Sequence, residues 1–129
     1  MNFELNDTQQ DLRDEVQTIA QNEIKPRAIE LDRREAYPAD ILAELGERRL
    51  TGLTLPEEYG GRGGSLVELA VMTEELAAAL MSVASTVALH LGVASIIAEH
   101  GSKAQCERYL PEMASYDTVG VLGLSEATA

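Results

Sequence analysis

The sequence predicts an all-α fold: a bundle of about five helices that gives way at its end to the first strand of a second, β-containing unit. Three observations carry that expectation. Apolar residues recur at helical spacing over most of the 129 residues. Two capping boxes, Ser65-Leu66-Val67-Glu68 and Ser102-Lys103-Ala104-Gln105, mark helix starts. From Thr118 the helical period is replaced by a β-branched, Gly-rich run, Thr118-Val119-Gly120-Val121-Leu122-Gly123-Leu124.

The elements follow in order. Asn6 or Asp7 caps a first helix, whose apolar face is Leu12, Val16, Ile19, Ala20 and Ile24. Pro26 lacks a backbone N–H and kinks or splits this helix before it continues to about Arg34. Pro38 suits the first turn of a second helix with Ile41, Leu42 and Leu45 as its buried stripe, and Gly52 is placed to end it. Leu53-Thr54-Leu55-Pro56 reads as extended. The loop after it holds four glycines in the five residues 60–64, which allows positive φ. A third helix starts after Ser65 and carries Leu69, Met72, Leu76, Ala79 and Leu80. Ser82 is the expected break and cap of a fourth, Val83 to about Glu99, apolar nearly all round and therefore expected to be buried on most sides. Gly101 ends it, Ser102 caps a fifth, and Pro111 is expected to bend or divide that last helix. The run 118–124 has no strand to pair with inside the chain, so its backbone groups call for polypeptide beyond it. The expected division is a helical domain over 1–117 and the start of a β-domain over 118–129.

Composition narrows the function classes. Ten Lys plus Arg stand against 22 Asp plus Glu, a formal charge of −12, the same sign as a phosphate backbone, so nucleic acid is not an expected partner. With 45% apolar residues the chain can build one core. Cys106 is the sole cysteine, which excludes an internal disulfide and fits a reduced, cytoplasmic setting. No uninterrupted apolar run approaches the roughly 20 residues of a membrane span. Lysine is scarce: Lys25 and Lys103 against eight arginines, which together with the acidity resembles the composition of proteins kept soluble in a high-salt cytosol.

No catalytic motif is recognisable from spacing alone. Gly60-Gly61-Arg62-Gly63-Gly64 lacks the Lys-Ser/Thr of a phosphate loop. His90 and His100 have no ligand-spaced companions and read as packed or surface imidazoles, and Cys106 as a small buried hydrophobe. Glu74 and Glu75 are adjacent, so they cannot share one helix face as an acid/base pair, and both are expected in solvent. Ser85, Ala88 and Gly92 form a stripe of small residues on the fourth helix. It serves either close helix packing or a groove for a slender ligand.

Several stretches together resemble the N-terminal domain of the flavin-dependent acyl-CoA dehydrogenases. They are Leu55-Pro56-Glu57-Glu58-Tyr59-Gly60-Gly61, Glu74-Glu75-Leu76-Ala77, and Gly101 and Gln105 leading to Tyr109-Leu110-Pro111. The closing Leu122-Gly123-Leu124-Ser125-Glu126 is similar to the family's aromatic-x-Leu-Thr-Glu-Pro motif, and Phe3-x-Leu5 and Ile24-x-Pro26 fit as well.

The resemblance implies a helical N-terminal domain followed by a β-domain and a C-terminal helical domain, assembled as a homo-oligomer. It implies FAD as cofactor, an acyl-CoA thioester as substrate, α,β-dehydrogenation as reaction and an electron-transferring flavoprotein as acceptor. Leu122, Leu124 and Ser125 match the positions that lie against the flavin, and Ser85, Ala88 and Gly92 fall where the family lines its acyl pocket. Leu122 replaces an aromatic residue, so stacking there is lost, and Ala127 replaces a proline. The catalytic carboxylate belongs to the family's C-terminal domain, and no acid of this chain takes its place. The isolated chain is therefore expected to be inactive. The alternatives are a self-standing acidic helical interaction module without chemistry, or part of a related acyl-CoA oxidase or nitroalkane-oxidising enzyme.

Overall fold

The computed structural model of the chain describes residues 4–127, and its regular structure is helical. Phe3, Thr128 and Ala129 lie outside the described residues. The first helix, α1, spans Asp7–Ile19. Asn6 and Gln9 close a capping box: the Asn6 carboxamide accepts from the Gln9 N–H at 2.9 Å, and Gln9 Oε1 accepts from the Asn6 N–H at 3.1 Å.

Pro26 splits the helix as expected, by a specific route. The backbone first widens into a π-helical turn, Ala20–Ile24, where the Lys25 N–H reaches back to the Ala20 carbonyl. It then tightens into a 3₁₀ turn, Lys25–Arg27, before α2 resumes at Ala28–Arg34. Widening is the natural response to a residue that cannot donate and whose ring crowds the carbonyl four residues back. The turn keeps Ile24 on the buried face with Leu12, Val16 and Ile19.

The third helix, α3, spans Ala39–Glu47, with Pro38 one step outside it at the cap. Gly52 does not end it. Arg49 takes the left-handed conformation, φ +57°, and the Leu50 N–H reaches the Leu45 carbonyl at 2.8 Å while the Arg49 N–H reaches Gly46 at 2.8 Å. These two bonds form a Schellman closure, sealed by the contact of buried Leu50 with Leu45. Gly52 serves packing instead: a Cβ there would come within 2.9 Å of Ala114 Cβ. Leu53-Thr54-Leu55 is turned rather than extended, since the Leu53 and Leu55 N–H groups bond back to Leu50 and Gly52. The glycine loop folds onto this turn, with Gly63 and Gly64 N–H groups donating to the carbonyls of Leu55 and Leu53 at 2.8 and 2.7 Å.

The fourth helix, α4, spans Leu66–Ala79 behind the Ser65–Glu68 capping box. The fifth, α5, spans Met81–His100. The break between them is not Ser82 but Leu80 alone, extended at φ −158°. Ser82 lies in the first turn of α5, where its carbonyl accepts the hydroxyls of Ser85 and Thr86. The last helix, α6, spans Lys103–Ala114 behind the Ser102–Gln105 box and runs through Pro111 without dividing.

Helix α1 packs on α4, α4 on α5, and α5 on α6. One core joins Val16, Leu42, Leu45, Leu50, Met72, Leu76, Val83, Val87 and Leu91; a second joins Leu55, Ala94, Cys106, Leu110 and Met113 between α5 and α6. Glu74 is exposed, but Glu75 is buried at 7% exposure, against expectation. Arg13 Nε donates to Glu75 Oε1 at 2.7 Å across the α1–α4 seam, and Gln17 lies beyond it. The partner that makes this burial tolerable is 62 residues away in sequence.

Among the described residues there is no strand. The segment 118–124 has no helical period, as the sequence indicated, yet no ladder forms, because a strand needs a second one to pair with.

Candidate functional site

Helix α5 carries Ser85, Ala88 and Gly92, and the chain that leads to Leu122, Leu124 and Ser125 crosses it at Gly120. From Met81 to Ala98 it holds no Asp, Glu, Lys or Arg. Its 20 residues are by length and composition long and apolar enough to cross a membrane, which corrects the expectation of no such run; here one side is core. Val83, Ala84, Val87, His90, Leu91 and Ala94 face inward.

The opposite side is open, so the expectation of burial on most sides fails. Met81, Ser85, Leu89, Gly92 and Ile96 recur at spacings of 3 and 4 and are all exposed, Leu89 to 58% and Ile96 to 54%. Ala88 is half-buried beside them. The small stripe Ser85-Ala88-Gly92 therefore does not mediate helix packing within this chain. A Cβ added at Gly92 would meet nothing within 4 Å, so the glycine is not there to admit a neighbouring helix of this chain. The Ser85 hydroxyl is committed to its own helix, donating to the Ser82 carbonyl at 3.2 Å.

The second group, Leu122, Leu124 and Ser125, follows α6. The chain leaves that helix through Tyr116 in the left-handed region, φ +68°, and Thr118 ties back to Glu112 by its N–H at 3.0 Å and its hydroxyl at 2.7 Å. It then crosses α5 at Gly120, which sits so close that a Cβ would stand 3.0 Å from Val93 Cβ and 2.7 Å from Met113 Cε. The Gly120 N–H donates to His90 Nδ1 at 3.0 Å. Beyond this point Val121, Leu122 and Leu124 are exposed, Leu124 to 79%, as is Ser125. Their backbone groups make no hydrogen bond within the described residues. The structure thus hangs both groups on α5 but does not bring them into one closed pocket.

Of the two possibilities left open for His90, packed or surface imidazole, the structure shows the packed one, with 0% exposure. Its ring has partners on both nitrogens: Gly120 N–H at Nδ1, and the Met113 carbonyl 2.9 Å from Nε2. The Tyr116 ring packs at 5.1 Å, tilted by 60°. Burial pushes the imidazole below its ordinary value of 6.5, against the pull of the Met113 and Thr51 backbone. Tyr116 is pushed upward by burial and by its hydrogen bond to Tyr37, whose hydroxyl lies 2.8 Å away.

Elsewhere the chemistry is structural. Cys106 is buried, its Sγ 3.3 Å from the Ile97 carbonyl. Arg62 of the glycine loop grips Glu15 with two bonds of 2.8 Å and the Arg48 carbonyl at 2.6 Å. Glu23 is raised above its ordinary 4.5 by a hydrogen bond to Glu44, with Arg48 opposing. No group of three His, Cys, Asp or Glu among the described residues is placed to hold a metal.

The family comparison agrees with this layout. Residues 6–117 match the model of the acyl-CoA dehydrogenase N-terminal domain. The chain is 33% identical to the short-chain-specific acyl-CoA dehydrogenase of Clostridium acetobutylicum, over all of this chain and 34% of that protein. It is 36% identical to the mitochondrial isovaleryl-CoA dehydrogenase of Arabidopsis thaliana, over 95% of this chain and 31% of that one. The butyryl-CoA dehydrogenase structure from Megasphaera elsdenii superposes with a TM-score of 0.93 at 30% identity, over all of this chain and 35% of that one. The chain spans about a third of the length of the relatives it matches. On these grounds the chain belongs to the acyl-CoA dehydrogenase family, and its helices are that family's N-terminal domain.

Proposed function

We propose that this chain supplies one wall of the substrate site and one contact strip for FAD in an enzyme that dehydrogenates acyl-CoA thioesters between Cα and Cβ. The observation that carries the reading is the open, uncharged face of α5 around Gly92, where an added Cβ meets nothing within 4 Å. An acyl chain needs such a surface: apolar, free of ions, and shallow where the helix carries Ser85, Ala88 and Gly92. Relatives named for short-chain, isovaleryl and butyryl substrates favour short or branched acyl groups.

The strip at 121–126 fits a flavin in its donor set. Leu122 and Leu124 offer exposed apolar surface, and the Ser125 hydroxyl and the free backbone N–H and C=O groups offer hydrogen bonds to a polar ring edge. FAD, when bound, would supply the two-electron oxidant. The residues of this chain then bind and orient: α5 fixes the acyl tail, and 122–125 exclude water from one side of the ring. Proton abstraction needs a carboxylate aimed at Cα. The buried carboxylate Glu75 is committed to Arg13 in the α1–α4 seam, and the family resemblance assigns the base to the C-terminal domain. Pairing of 118–124 with strands of a following β-domain, homo-oligomerisation and an electron-transferring flavoprotein as acceptor belong to the same proposal.

The test uses the ¹⁵N-labelled chain with butyryl-, isovaleryl- and octanoyl-CoA. Amide shifts centred on Ser85, Ala88 and Gly92 that vanish in Gly92→Leu are expected. Shifts centred elsewhere would refute the wall assignment. Flavin bleaching by the chain with FAD and acyl-CoA alone would refute the placement of the base.

A further inference from the structure

We propose that His90 is a positioning residue: as a neutral imidazole it latches the segment after α6 to α5 and so sets where Leu122, Leu124 and Ser125 point. The destination of that segment rests on the functional reading above; the latch itself does not. The two ring nitrogens have unlike partners, and these select a tautomer. The Gly120 N–H can only donate, so Nδ1 must carry a lone pair. The Met113 carbonyl can only accept, so Nε2 must carry the proton. One tautomer of the neutral ring satisfies both. The doubly protonated ring would set an N–H against the N–H of Gly120, and the bond would be lost.

Apart from the packing of Gly120 against Val93 and Met113, the segment has little to hold it at this point. Thr118 is tied to Glu112, but from Val119 onward the Gly120–His90 bond is the one hydrogen bond of the backbone as far as Glu126 among the described residues. Gly120 is shaped for it, since its missing Cβ is what lets the N–H approach between Val93 and Met113. The groups facing the ring are the Met113 carbonyl of α6, the Thr51 backbone from the turn after α3, the Gly120 N–H and the Tyr116 ring. Tyr116 is the titratable one, and its upward shift keeps it neutral across the relevant range. No carboxylate stands there to stabilise an imidazolium. Burial already disfavours it.

The device is therefore set at neutral pH and released by a proton. Nuclear magnetic resonance of the labelled chain between pH 7.5 and 5 tests this without flavin or substrate, so its outcome is separate from that of the functional reading. The His90 ring and the Gly120 amide should titrate with a single midpoint below 6.5. Heteronuclear NOE values at Val119, Gly120 and Val121 should fall along the same curve, and the Gly120 protection factor, taken against the intrinsic exchange rate at each pH, should drop at least tenfold. His90→Gln offers a carbonyl to Gly120 and an N–H to Met113 with no titratable group, and should hold these values flat over the range. Gly120→Ala should free the segment at every pH and move the His90 midpoint up toward 6.5. The proposal is overturned if Gly120 ignores the ring titration, if the wild-type NOE values stay flat, or if His90→Gln reproduces the wild-type pH profile. If Gly120→Ala does not fold, the other two proteins decide.

Discussion

Gly46 and Gly92 are both helical glycines, and the same substitution should move stability in opposite directions at the two. On propensity alone, glycine to alanine inside a helix stabilises by about 0.5–1 kcal/mol. Gly92→Ala should realise that gain, because its new methyl enters space with no atom within 4 Å. At Gly46 the methyl would run into the Ser115 carbonyl oxygen and come within 2.9 Å of Tyr116 Cβ. Those are backbone and near-backbone atoms of the turn after α6, which Thr51 and the Thr118–Glu112 bonds hold in place. Overpacking of this kind costs roughly 1–3 kcal/mol, which outweighs the propensity gain. The propensity gain is common to both, so the two variants should differ by the overpacking cost, about 1–3 kcal/mol, or roughly five- to a hundredfold in folding equilibrium. Thermal melts and urea titrations by circular dichroism read this directly, with Gly92→Ala melting a few degrees above wild type and Gly46→Ala well below. If both variants shifted the same way, the packing of α3 against the α6 exit described here would be wrong.

Two further outcomes test other joints of the fold. Arg62 holds the Glu15 carboxyl below its ordinary 4.5, so the unfolded chain binds that proton more readily, and the pair's contribution is complete above pH 4.5 and lost as pH falls through the folded value. Glu15→Gln should therefore cost about 1–2 kcal/mol at pH 7 and flatten the acid limb of the stability curve, and an unchanged limb would dismiss the pair as a contributor. Thr51→Val keeps the shape but strips the buried Ala114 carbonyl of a 2.9 Å bond; a loss of about 1–2 kcal/mol in urea unfolding is expected, and none would mean water replaces the hydroxyl.

What could be read in advance was local. The boxes at Ser65–Glu68 and Ser102–Gln105 depend on residues three apart, and both formed. The apolar face of α1 survived the π turn because Pro26 announced the disturbance. What stayed hidden was set by distant partners. Nothing near Glu75 foretells Arg13, and nothing near Arg49 foretells that it, rather than Gly52, would adopt positive φ. The apolar girth of α5 implied burial on most sides, whereas one side is left open among the described residues. Within the candidate site, Ser85, Ala88 and Gly92 were visible as a small stripe. The latch at His90 was not, since its two partners lie 23 and 30 residues away on α6 and past its end.

The single extended residue at Leu80 has a mechanical consequence. With one residue of slack, α5 cannot slide or roll without dragging α4, and the Arg13–Glu75 clasp passes any such motion on to α1. Three helices thus behave as a stiff slab behind the exposed row that ends at Ile96. If this face is the proposed acyl wall, it would select an acyl group by contour instead of by giving way.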